Sequence, residues 1–89
     1  MVESQPARPR TDSDERDMRA RLGQVIRQHR IAAGMTLDDL ASAAGLHFAS
    51  LSRVETGERT MSWLTFMRIA DALGIALDDL LHEAAIPRG

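Results

Sequence analysis

Residues 34–57 read GMTLDDLASAAGLHFASLSRVETG, and the glycines that punctuate this stretch decide the fold. Gly34, Gly45 and Gly57 cut it into two segments long enough for only two or three helical turns each. The first, residues 37–44, opens on Thr36, whose hydroxyl suits an N-cap, and carries Asp38 and Asp39 in the turn where the helix dipole favours acids. Its inward residues are Leu40 and the small Ala41 and Ala44. The second runs from about residue 47 to 56, with Leu51 and Val54 as its buried pair. Two short helices joined by so tight a turn must cross at close range. Ala41 therefore has to be small, and Gly45 has to accept a positive φ.

Upstream, helical patterning begins at Ser13, with Asp12-x-x-Glu15 as a capping box. Leu22, Val25, Ile26, His29 and Ala33 then recur at three- and four-residue spacing on one face, and Gly34 closes the helix. Downstream, Ser62 starts a fourth helix whose stripe is Trp63, Phe66, Ile69, Ala70 and Leu73, stopped by Gly74. A last helix over residues 77–84 carries Leu77, Leu80 and Leu81. No segment alternates with period two, so the expected fold is all-α, five short helices over residues 13–86. Residues 1–12, with two prolines and almost no large apolar side chain, read as a disordered arm, and residues 87–89 as a tail. The Arg8-Pro9-Arg10 segment of that arm is either an idle solvated tail or a minor-groove arm of the homeodomain kind.

Eighty-nine residues suit one domain with a small core, which makes dimerisation a natural source of extra stability. Without cysteine there is no disulfide, thiol catalysis or cysteine zinc site. No apolar run approaches the roughly 18 residues of a membrane span, and Met1-Val2-Glu3-Ser4 does not open a signal peptide, so a soluble cytoplasmic protein is expected. The net charge of −2 sits wholly in the first seventeen residues, and the rest balances to zero. Every basic side chain outside the histidines is arginine, which suits phosphate and guanine but equally reflects a GC-rich genome. Enzymatic chemistry finds no support. The paired acids Asp38/Asp39 and Asp78/Asp79 are adjacent on helices and point about 100° apart. His29, His47 and His82 show no metal spacing, and no glycine-rich phosphate loop exists. No cofactor or metal is expected.

The run Arg30-x-x-x-Gly34-Met35-Thr36-Leu37-Asp38-Asp39-Leu40-Ala41-x-x-Ala44-Gly45-Leu46, followed by Leu51-Ser52-Arg53-Val54-Glu55-x-Gly57, resembles the Cro/cI-type helix-turn-helix family. The run from Leu64 to Leu81 fits that family's last two helices, so the resemblance spans roughly residues 20 to 82. The short connector over residues 57–62 and the lack of an effector domain also resemble the controller proteins of restriction–modification systems. The resemblance implies a Cro/cI-like DNA-binding domain whose third helix enters the major groove.

Carried over residue by residue, it puts Phe48, Ala49 and Arg53 at base edges, with Arg53 suited to guanine O6 and N7 and Phe48 to a thymine methyl. Leu51 and Val54 already supply the buried face, which leaves Phe48 to the surface. His47, Ser50 and Ser52 fall to phosphate or base edges, and Thr36 to a helix N-terminus that meets phosphate. The family often carries Gln after that cap; Leu37 stands here instead, so either apolar packing or one lost clamp follows. Arg27, Thr56, Arg59 and Thr60 complete the expected phosphate contacts. Arg30 and Glu55 match a structural ion pair. Leu64, Met67, Leu77, Leu81 and Ile86 are the candidates for a two-fold homodimer interface. The expected function is a homodimeric transcription regulator on double-stranded DNA at a pseudo-palindromic operator. The alternatives are an antitoxin-type autorepressor, marked by an adjacent toxin gene, and an interaction module that has lost DNA binding, which a gel shift would separate.

Overall fold

The computed structural model describes residues 11–85. Five helices follow in the order α1 (Asp12–Ala32), α2 (Leu37–Ala44), α3 (Phe48–Thr56), α4 (Trp63–Leu73) and α5 (Leu77–Glu83), with no strand among the described residues. The expectations for residues 1–10 and for Ile86 and the tail lie outside the described residues.

The helix boundaries follow from local chemistry. The α1 capping box forms one residue earlier than expected: Asp14 N–H donates to Thr11 Oγ1 and Thr11 N–H to Asp14 Oδ2, both at 3.1 Å. A hydroxyl N-cap three residues before a carboxylate satisfies two donors reciprocally, and this places Asp12 inside the first turn rather than at the cap. At α2 the same device uses Thr36 and Asp39, with Thr36 N–H to Asp39 Oδ2 at 2.8 Å and Asp39 N–H to Thr36 Oγ1 at 3.0 Å. Gly45 ends α2 in the left-handed region at φ +70°, and Leu46 N–H returns to Ala41 O at 2.8 Å. That reversal turns the chain directly into α3.

Helices as short as α2 and α3 do not persist alone. Packing holds them. Ile26, Leu40, Leu51 and Ile69 are fully buried in one cluster with Ala41, Ala44 and Val54. Each large aliphatic side chain contributes about 1.5–3 kcal/mol by leaving water. A second cluster joins Val25, Phe66, Ala70, Leu80, Leu81 and Ala84, and Leu22 and Met61 pack against both. The α1–α3 crossing is tight at Gly23, where an added Cβ would lie 2.4 Å from Val54 O and 2.5 Å from Glu55 O. The backbones of α1 and α3 therefore touch, and α1 sets where α3 lies.

Two expectations of the core stripes and one of the dimer interface are corrected. Ala33 is exposed and lies past the end of α1. Trp63 is 61% exposed: as the first residue of α4 it precedes the packed turns, and its ring meets the edge of Phe66, ring centroids 6.0 Å apart. Leu81, proposed for an intermolecular face, is 7% exposed because α5 lies against both α1 and α4.

Candidate nucleic-acid interface

The two faces of α3 divide the work. Leu51, Val54 and Glu55 turn inward, whereas Phe48, 53% exposed, and the exposed Ala49 and Arg53 turn outward. Ser50 and Ser52 are half-buried along the sides. His47 is the exposed N-cap, and its side chain makes no capping hydrogen bond, so the imidazole is not committed to the helix.

Glu55 faces inward because Arg30 meets it. The Arg30 guanidinium donates from Nε to Glu55 Oε2 at 2.8 Å and from Nη2 to Oε1 at 3.0 Å, a two-pronged bond of the strong kind. Nη1 donates to Met35 O at 2.9 Å, so one side chain ties α1 to α3 and to the start of the α2 turn. The hydrogen bonds to Glu55 hold the Arg30 pKa above its ordinary value against the opposing effect of burial.

Beside α3 lies a cleft of about 520 Å³ that brings together Arg27 of α1, Leu37 of α2 and Ser52 and Thr56 of α3. Leu37 is half-buried against the first core cluster, so the residue that replaces a polar clamp packs instead. Arg27 is exposed at the rim. Thr36 is exposed at the head of α2, with its N–H bonded to Asp39 and its hydroxyl oxygen accepting from Asp39 N–H. The bond from Thr36 N–H, then that from its side chain, holds the Asp39 carboxyl below the usual carboxylate range.

Past Gly57, Arg59 folds back so that Nη1 donates to Ser50 Oγ at 3.3 Å, and Thr60 is exposed. The exposed Thr56 is engaged too, with Oγ1 at 2.8 Å from Glu58 Oε2 and 3.1 Å from Arg53 O. Arg27, Ser52 and Thr56 thus share a cleft, Arg59 and Ser50 are joined, and Thr36 and His47 stand apart at the heads of their helices. Away from α3, Leu64 and Met67 are 56% and 46% exposed. They line a groove of about 400 Å³ with Ile75 and Leu77.

Several contributors escape the sequence reading. Arg19 Nε donates to Gly57 O at 3.2 Å and Arg21 Nε to Ala84 O at 2.9 Å, fixing the ends of α3 and α5 to α1. His29 Nε2 and Glu83 Oε1 lie 2.8 Å apart. Ile75 was findable as part of the apolar run Ile75-Ala76-Leu77 between two helices. Glu58 and Gly23 carried no signal of their own. Among the described residues no cluster of His, Asp or Glu is placed to hold a metal, and no helix is long and apolar enough to cross a membrane.

Two short helices crossing at Gly45, the second with one face buried and one face open, define a helix-turn-helix DNA-binding transcription regulator rather than an enzyme. The chain belongs to the helix-turn-helix domain family, which it matches over residues 21–84. It is 35% identical over 71 residues to the control protein C.BamHI of Bacillus amyloliquefaciens, covering 79% of this chain and 88% of that protein. Its fold is similar to the restriction-modification controller protein C.AhdI from Aeromonas hydrophila, with TM-score 0.69 and 32% identity over 70% of this chain and 94% of that one. It is also similar to the clp gene regulator ClgR from Corynebacterium glutamicum, with TM-score 0.74 and 35% identity over 76% and 72% of the two chains.

Proposed function

We propose that the chain is a sequence-specific regulator that binds a pseudo-palindromic operator as a homodimer, with α3 in the major groove. The observation that carries this is the outward stripe of α3: Phe48, Ala49 and Arg53 are exposed on a helix whose other face is locked in the core. In this reading Arg53 grips a guanine, Phe48 lies against a thymine methyl, and Ala49 leaves room for the approach. Arg27, Thr36, His47, Ser50, Ser52, Thr56, Arg59 and Thr60 hold the sugar–phosphate backbone on either side. Their surroundings support this: the cleft beside α3 carries Arg27, and the loop after it carries Arg59.

The homodimer forms through Leu64, Met67 and Leu77, with Ile75 in the same groove, while Leu81 serves the core. An isologous pairing of such patches sets two copies of α3 one helical turn of DNA apart, about 34 Å. Regulation of a restriction–modification system is the cellular role favoured by the likeness to C.BamHI and C.AhdI, and a DNA target is in keeping with work in the cytoplasm.

The test is selection of bound sequences from a random duplex library, followed by two variants on the selected site. Arg53→Ala lowers the specific-to-random affinity ratio at one position, by about 1–3 kcal/mol per half-site. Arg59→Ala weakens specific and random DNA alike and flattens the slope of log K against log salt by about 0.9 per lost contact. A selection that returns no consensus, or an Arg59→Ala that alone collapses the ratio, refutes the assignment of α3.

A further inference from the structure

The end of α3 holds a carboxylate where both the helix and a DNA ligand would call for a cation. Gly57 reverses the chain at φ +82°, and Glu58 N–H then donates to Arg53 O at 2.9 Å, which fixes the Glu58 backbone against the last turn of α3. From there the Glu58 carboxylate reaches Thr56 Oγ1 at 2.8 Å. The hydroxyl has one proton, and Arg53 O at 3.1 Å competes for it. The ionised carboxylate is the nearer and stronger acceptor and takes it. Among the described residues no cation stands within ion-pair distance of Glu58. The C-terminal end of a helix is negative, so the carboxylate is unfavourable to α3 as well. Thr56 lines the cleft that also holds Arg27 and Ser52, the path assigned above to the DNA backbone.

We infer that Glu58 is an electrostatic brake on DNA binding that works through Thr56. In the free protein it holds the Thr56 hydroxyl proton. When a phosphate enters the cleft, that proton turns to the phosphate oxygen and Glu58 is left facing a second negative charge. The brake acts on the backbone, which is common to all sequences. It therefore lowers affinity for operator and random DNA together without changing their ratio. A protein with a net charge of −2 keeps its non-specific binding low by this device, and the operator is released readily.

The inference rests on the DNA-binding reading, and the experiment keeps the two apart. The full chain and its Glu58→Gln, Thr56→Val and double variants are titrated by fluorescence anisotropy against the selected operator duplex and a random duplex of equal length. Glu58→Gln is expected to tighten both about fifteenfold per protomer: about threefold from removing one unit charge roughly 7 Å from a phosphate through water, and about fivefold from freeing the Thr56 hydroxyl. Thr56→Val is expected to weaken both about twofold in the parent, because the hydroxyl there only exchanges one anion for another. In the Glu58→Gln background the same change is expected to cost about tenfold, the lower end of the value of a hydrogen bond to a charged group once no competing anion holds it. Unchanged or weaker binding by Glu58→Gln, equal Thr56→Val effects in both backgrounds, or an altered operator-to-random ratio each overturns the brake while the parent still binds. A parent that binds neither duplex refutes the DNA-binding reading and the brake with it.

Discussion

Gly23→Ala should destabilise the protein although it replaces a helix-interior glycine with the best helix former. The isolated-helix effect favours the variant by up to about 1 kcal/mol. Against it stands the α1–α3 crossing, where the new Cβ would lie 2.4 Å from Val54 O, 2.5 Å from Glu55 O and 2.8 Å from the Glu55 carbonyl carbon. All three neighbours are backbone, so no side-chain rotation relieves the contact. To restore ordinary van der Waals separation the helices must part by about 1 Å.

That displacement reaches the Arg30–Glu55 pair, whose bonds of 2.8 and 3.0 Å have little room to lengthen before they fail. Overpacking costs about 1–3 kcal/mol, and weakening a charged hydrogen bond about 1.5–3 kcal/mol more. After the propensity gain is subtracted, a net loss of about 1.5–5 kcal/mol remains. In a domain of this size each kcal/mol moves the melting temperature by about 4–8 °C, so a fall of at least about 6 °C is expected. Thermal melts followed by circular dichroism, with urea melts at one temperature, measure it. A Gly23→Ala protein that melts at or above the parent temperature would show that α1 and α3 do not meet backbone to backbone.

The ion pair itself gives a second expectation. Arg30→Ala and Glu55→Ala should each cost about 3 kcal/mol, because either leaves a charge stranded at a site only 6–13% exposed, and the double variant should lose clearly less than their sum; additive losses in urea would mean that the residues do not interact. A third concerns acid. Thr36 lowers the Asp39 pKa in the folded state, so the stabilisation is present at neutral pH and is lost as pH falls through the carboxylate range. Asp39→Asn should therefore melt lower than the parent at pH 7 and converge with it near about pH 2, and a gap that stays constant with pH would contradict the capping box. Finally, Leu64→Glu with Met67→Glu should leave a 9.8 kDa monomer in sedimentation at micromolar concentration, whereas an unchanged dimer would move the interface elsewhere.

Glycine punctuation and apolar spacing made most of this fold legible, because they are local signals. Thr36, Gly45 and the Leu51–Val54 pair act within a few residues of themselves, and the caps and crossing they predict are the ones observed. Leu81 was not legible in the same way. Leu77, Leu80 and Leu81 present a broad apolar face, and how much of it remains open depends on α1 and α4 both flanking α5, which spacing within a seven-residue helix does not contain. Trp63 misled for the opposite reason. It falls in register with Phe66 and Ile69, but it stands at the first position of α4, ahead of the turns that pack.

Gly23 is the residue that best explains what spacing leaves out. In a helical pattern an interior glycine reads as a weakness, yet here it sets the distance between the longest helix and the helix with the open face. That distance has a consequence for function. Arg30 and Gly23 fix α3 from behind, through a two-pronged ion pair and a backbone contact, so the outward stripe of Phe48, Ala49 and Arg53 is presented by a helix with little freedom to rotate or slide. A base-reading arginine discriminates only when its two forked donors meet guanine at a fixed angle. In the proposed complex, Gly23 and Arg30, away from the DNA, would then govern the specificity ratio through the angle of Arg53, and the residues proposed to lie along the backbone, Arg27, Thr56, Glu58 and Arg59, would govern affinity alone. The division is physical: orientation is set where helices touch, and attraction is set where charge faces solvent.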